Sequence, residues 1–140
     1  MPYHVSVYKP HNKRPFPDDD EAIEMWIFEE EKHALFSYPL GATETINKLW
    51  YGIGLTLKLS LISQIYDYGI EICKKLDLEL LKDQVLKLRE YWESHELDDS
   101  LSVNDENGKV GTREHLIERS NFLLEAIEIA INQSGILIIY

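Results

Sequence analysis

Apolar residues recur along this chain with more than one spacing, and each spacing predicts an element. At the N-terminus Tyr3, Val5 and Val7 alternate with His4, Ser6 and Tyr8. A period of two puts alternate side chains on opposite faces, so residues 3–8 read as a strand. Pro10, Pro15 and Pro17 then hold a loop, and Asp18, Asp19 and Asp20 suit the start of a helix, where short acids cap free N–H groups and meet the positive dipole end. That helix would run over 21–35. The run Met25-Trp26-Ile27-Phe28 equally suits one strand of a hairpin, with 34–38 returning, so residues 23–38 are open between helix and hairpin.

From residue 43 to 76 the spacing becomes helical. Ile46, Trp50, Ile53, Leu57, Leu61, Ile65, Tyr68, Ile72 and Leu76 form one series, and Leu55, Leu59, Ile62, Tyr66, Ile70 and Cys73 widen it. The polar remainder is a narrow stripe, which predicts a helix buried on most sides with Cys73 in the core. Such a helix would span about 50 Å, against a domain diameter of roughly 35–40 Å. It must bend or break, most naturally at Gly52, Gly54 or Gly69, or protrude into a homo-oligomer. The alternation from Leu55 to Leu61 also suits a strand; the helical pattern on both sides favours helix.

Residues 78–92 make the clearest amphipathic helix, with Leu78, Leu81, Val85, Leu88 and Trp92 inward and Glu79, Lys82, Asp83, Lys87 and Glu90 outward. A polar loop follows. Within it Asn107-Gly108 signals a tight hairpin turn flanked only by Val103 and Val110. Thr112 opens a last helix with Leu116, Leu123, Leu124, Ile127 and Ile131 on its inner face, and Gly135 ends it. Residues 136–140 are a continuous apolar strand that needs cover on both faces and finds its natural partner in 3–8. The expectation is a mainly α (α+β) fold in a single domain, 1–140: three to four packed helices beside a small sheet pairing the N- and C-terminal strands.

Length and composition agree with that outline and sharpen the charge. The chain has 140 residues, 44% hydrophobic, with a net charge of −11. Residues 17–33 carry eight acids against Lys32, and residues 77–111 carry ten acids against four bases. Two acidic blocks repel nucleic acid and anionic membrane and attract a cationic protein. Solubility alone also accounts for such acidity. The most apolar stretch is broken by Thr56, Lys58, Ser60, Ser63 and Gln64 and does not read as a membrane span. The opening residues lack an export signal, and the single Cys73 cannot form an internal disulfide. A reducing compartment, the cytoplasm, is the expectation.

Candidate chemistry is sparse. Glu30 and His33 form an E-x-x-H pair, which a helix places on one face, but a two-metal carboxylate bundle needs two such pairs and two further glutamates. His95 and His115 could join them only through the fold. Aligning Gly108 with the central glycine of a calcium loop puts Asp105, Asn107 and Glu114 at ligand positions, yet Val103 falls where the first aspartate is required. Cys73 on an apolar face reads as a small hydrophobe. No glycine-rich phosphate loop, nucleophile elbow or H-E-x-x-H occurs. The aromatic residues, among them Trp26, Phe28, Phe36, Tyr38, Trp50 and Trp92, read as core or interface, since stacking on nucleic acid would interleave them with Arg and Lys. The expected function is therefore a non-enzymatic interaction protein without cofactor, such as an acidic inhibitor of a basic protein in the manner of an immunity protein. Its partner-binding residues would be Asp18, Asp19, Asp20, Glu29, Glu30 and Glu31, then Asp98, Asp99, Asp105 and Glu106. The alternative is a helical-bundle metal protein or enzyme built on Glu30 and His33.

Overall fold

The computed structural model describes residues 3–9, 22, 25, 34–65, 69–97, 103–105, 108–110 and 112–140. The elements in chain order are β1 (Tyr3–Tyr8), β2 (Phe36–Gly41), α1 (Thr43–Thr45, a π-helical Ile46–Tyr51 and Gly52–Thr56 in one run), a 3-10 turn (Ile62–Gln64), β3 (Ile70–Ile72), α2 (Lys75–Ser94), β4 (Val103–Asp105), β5 (Gly108–Val110), α3 (Thr112–Gln133) and β6 (Ile136–Ile139). The fold is α+β.

Four strands form an antiparallel sheet in the order β2-β1-β6-β3. The terminal strands are neighbours, Val5 opposite Ile139 and Val7 opposite Leu137. Phe36 and Tyr38 face the same β1 residues from the other side, and Ile70 and Ile72 continue the rows beyond β6. Two apolar rows therefore cross the whole sheet, because the period-two register puts every second residue on this face. α3 lies against it. α2 packs on α3 through Leu78, Leu81, Val85, Leu88 and Trp92, all essentially inaccessible. On the opposite face Ser6, Tyr8, Ile136 and Ile138 are also buried, so all four residues of β6 are covered, as a continuous apolar strand requires.

The single helix expected over 43–76 does not form. It stops at Thr56, where Lys58 turns left-handed at φ 57°, its N–H bonding Leu55 O at 3.2 Å and the Leu59 N–H bonding Gly54 O at 2.8 Å. These two bonds close a Schellman turn. Gly69, at φ 72°, directly precedes β3; a Cβ there would run into the Ile139 carbonyl oxygen. Strand pairing with β6 overrides the helical spacing of Ile70 and Ile72. Cys73, expected in the core, is exposed, because it follows a strand and precedes α2 rather than lying on a helix face. Leu55, Leu57 and Leu76, also expected on the buried face of one long helix, are exposed.

Further adjustments are local. Gly108 pairs with Asp105 as a strand residue, so the hairpin register differs by one from a turn centred on Asn107-Gly108. α3 ends through Ser134 at φ 52°, not through Gly135, which follows it. Gly135 is small for another reason: a Cβ would meet Tyr8 O at 2.9 Å. In the undecided N-terminal segment, Ala22 and Met25 are helical, and Phe36–Gly41 is a strand paired with β1.

Candidate functional site

Most of the acids singled out from the sequence lie outside the described residues: Asp18, Asp19, Asp20, Glu29, Glu30, Glu31, Asp98, Asp99 and Glu106, together with His33. Asp105 is placed on the backbone of β4. His95 lies just beyond α2, its ring stacked on Tyr91 at 3.8 Å and its Nδ1 3.0 Å from Tyr91 O. His115 is buried in α3. Among the described residues no three His, Cys, Asp or Glu side chains come close enough to hold a metal ion. No described helix is long and apolar enough to cross a membrane.

A different assembly stands out at the seam between α3 and β2. The solvent stripe of α3 carries Glu114, Glu118, Asn121, Glu125 and Glu128, spaced four, three, four and three residues apart and all exposed. On the flank toward α2, Lys82 holds Glu128 at 2.9 Å and Arg89 donates to Asn121 at 2.9 Å. Glu118 and Glu125 have no ion pair or hydrogen bond among the described residues. Phe122 stands between them, four residues after one and three before the other, so all three share one side of the helix.

The Phe122 ring leans toward the sheet and stacks on Tyr38 with centroids 4.5 Å apart and planes 9° from parallel. Tyr38 is 44% exposed and is braced from behind by Phe36 at 5.0 Å. Arg119 completes the seam: its guanidinium lies 5.7 Å from the Phe122 centroid, and its Nη1 donates to Pro39 O at 3.0 Å. β2 is an edge of the described sheet. Pro39 offers no N–H there and Arg119 occupies its carbonyl, so the edge is blunted against an added strand.

One turn before Arg119, His115 is buried beneath this surface at 5% exposure, and its Nε2 has no hydrogen-bond partner. That atom lies 3.7 Å from where a Gly41 Cβ would stand, with Ile46 Cδ1 3.8 Å from the same point. Burial lowers the imidazole's pKa from its ordinary 6.5, the Arg119 charge lowers it further, and Glu118 pulls the other way. The π-helical stretch packs alongside. It buries Trp50, whose ring meets Trp92 edge-on at 5.1 Å, while Trp92 Nε1 donates to Leu49 O at 2.9 Å. Trp50 Nε1 and Asn47 Oδ1 are buried without partners there.

Tyr38 was legible as a core or interface aromatic. Phe122, Glu118 and Glu125 were not singled out, although two glutamates bracketing a phenylalanine at i−4 and i+3 on a helix is a pattern the sequence contains. No protein-family model matches the chain, and neither a curated protein nor a solved structure matches it.

Proposed function

We propose that this chain is a non-enzymatic binding protein that takes a cationic protein as its partner, with the α3–β2 seam as its contact face. The observation that carries the reading is the Tyr38–Phe122 stack, held at 4.5 Å on the surface and flanked by the carboxylates of Glu118 and Glu125, which have no ion pair among the described residues. A half-exposed aromatic pair locked by Arg119 loses little freedom on binding, and aromatic residues supply much of the energy at protein interfaces. The two glutamates around it select lysine or arginine on the partner. The net charge of −11 adds a long-range field that raises the encounter rate with a basic molecule. The acids at 18–20, 29–31, 98, 99, 105 and 106 contribute to that field. An acidic inhibitor of a basic protein, working in the reducing cytoplasm, is the form of this reading that fits the net charge and the single cysteine.

The test uses the full chain and a partner captured from its host. Tyr38→Ala is expected to weaken affinity about 30-fold, the effect of losing an interface anchor worth roughly 2 kcal/mol. Reversing Glu118 and Glu125 to lysine is expected to slow association and flatten its dependence on salt, with the melting temperature little changed. A partner whose association ignores salt, the glutamate reversals and Tyr38→Ala overturns the proposal.

A further inference from the structure

We propose that His115 is an acid-operated latch on the α3–β2 seam: a proton taken from solvent onto its buried ring separates helix from strand and dismantles the Tyr38–Phe122 face. This deepens the binding reading above by giving its contact face a means of control. The geometry provides the switch. His115 is buried, its Nε2 has no hydrogen-bond partner among the described residues, and it lies beside Gly41 of β2, where a Cβ would stand 3.7 Å from it and 3.8 Å from Ile46 Cδ1. In its Nδ1–H tautomer the neutral ring leaves only a lone pair without a partner there, a smaller cost than a buried charge. The protonated ring costs more, since both nitrogens then carry hydrogens and the Nε2–H finds no acceptor among the described residues.

The surrounding charges reinforce the effect. From its own helix the ring meets Arg119, which opposes a second positive charge, and Glu118, whose favourable pull is the smallest of the influences on it. From α1 the charged residues are Glu44 and Lys48, bound to each other at 2.9 Å and exposed. From β2 the only titratable side chain is Tyr38, which lies over Phe122. Among the described residues the acid that acts on the ring is Glu118, which is exposed on the helix and is outweighed by burial and Arg119. Relief comes when the ring swings to water, and α3 must lift from β2 for that. His115, Arg119 and Phe122 sit at i, i+4 and i+7, so the same movement withdraws the Arg119 anchor from Pro39 and Phe122 from Tyr38.

The sign follows from linkage. A folded-state pKa below the unfolded value means that the unfolded chain takes up the proton first. Stability is complete above about pH 6.5 and declines as the pH falls from there toward the folded pKa, by at most about tenfold in the folding equilibrium per pH unit for one proton. Nuclear magnetic resonance on the free, full chain from pH 8 to 5 tests the latch by following the His115 ring together with the proton contacts between Tyr38 and Phe122. The expected result is protonation of His115 below 6.5 in the same step that abolishes the Tyr38–Phe122 contacts, with His115→Gln retaining them throughout. Titration of His115 at or above 6.5, or titration that leaves the ring contacts intact, overturns the proposal, as does loss of the contacts at the same pH in His115→Gln. Should that variant fail to fold, the wild-type titration decides alone. No partner enters this experiment, so a flat titration removes the latch and leaves the binding face, whereas an indifferent partner at neutral pH removes the binding face and leaves the latch.

Discussion

Lys58 and Ser134 occupy left-handed backbone positions that ordinarily fall to glycine. Each closes a helix in the same way: Leu59 N–H to Gly54 O at 2.8 Å in one case, Gly135 N–H to Ala130 O at 2.8 Å in the other. An L-residue in this conformation costs about 1–2 kcal/mol, and glycine returns roughly 0.5–1 kcal/mol of that through greater freedom in the unfolded chain. Lys58→Gly and Ser134→Gly should therefore each stabilise the protein by about 0.5–1 kcal/mol, and together by the sum, since the two turns share no partner. Denaturant midpoints that rise without a change in slope would show this; unchanged midpoints would refute it. Neither position was legible beforehand. The glycine rule pointed to Gly135, but the turn needs its left-handed residue one place earlier, and Gly135 is required instead by the approach of Tyr8 O.

At the level of elements, periodicity succeeded where one surface alone decides the structure. α2 and α3 each bury a single stripe, and the apolar inward residues of α2 were all readable from spacing. The terminal strands were readable from the alternation over 3–8 and the continuous apolar run of 136–140. The segment 43–76 defeated the pattern because its apolar residues serve three short elements, each buried against a different neighbour, and a repeat near 3.6 arose from their concatenation. What joins those pieces is a polar side chain that no apolar pattern can reveal. Gln84 of α2 accepts the N–H groups of Leu61 and Ile62 at 2.9 and 3.2 Å and donates to Ser60 Oγ at 3.0 Å. It replaces the helix that the sequence would otherwise have continued. Gln84→Leu preserves the bulk and removes both acceptor bonds, leaving two backbone donors stranded. The expected cost is about 2–4 kcal/mol, with faster amide exchange at Leu61 and Ile62 than elsewhere in the core. A variant as stable as the parent would show that the turn holds itself.

For the molecule as a whole, the candidate contact face joins elements far apart in sequence, Tyr38 on β2 and Phe122 on α3, which is why only one half of it was visible in the linear pattern. The sheet beneath is similarly dispersed. β6 lies between β1 and β3 and is buried on both faces, so its removal takes the centre from the sheet and uncovers α3. Deleting residues 136–140 is expected to abolish cooperative unfolding in a calorimetric scan; a truncated chain with a sharp transition at the original temperature would contradict this architecture. The strand order also has a consequence in time. Synthesis produces β1 well before β6, yet β1 needs β6 beside it, as Val5 needs Ile139 and Val7 needs Leu137. While the chain is growing on the ribosome, the apolar rows of β1 and β3 have no middle strand to close them. Pairings of such separation form slowly and leave sticky edges open meanwhile. The keystone of this sheet is made after both strands it joins, so the nascent form that lacks it is in need of a chaperone, and a pause in translation before residue 136 should raise aggregation rather than help folding.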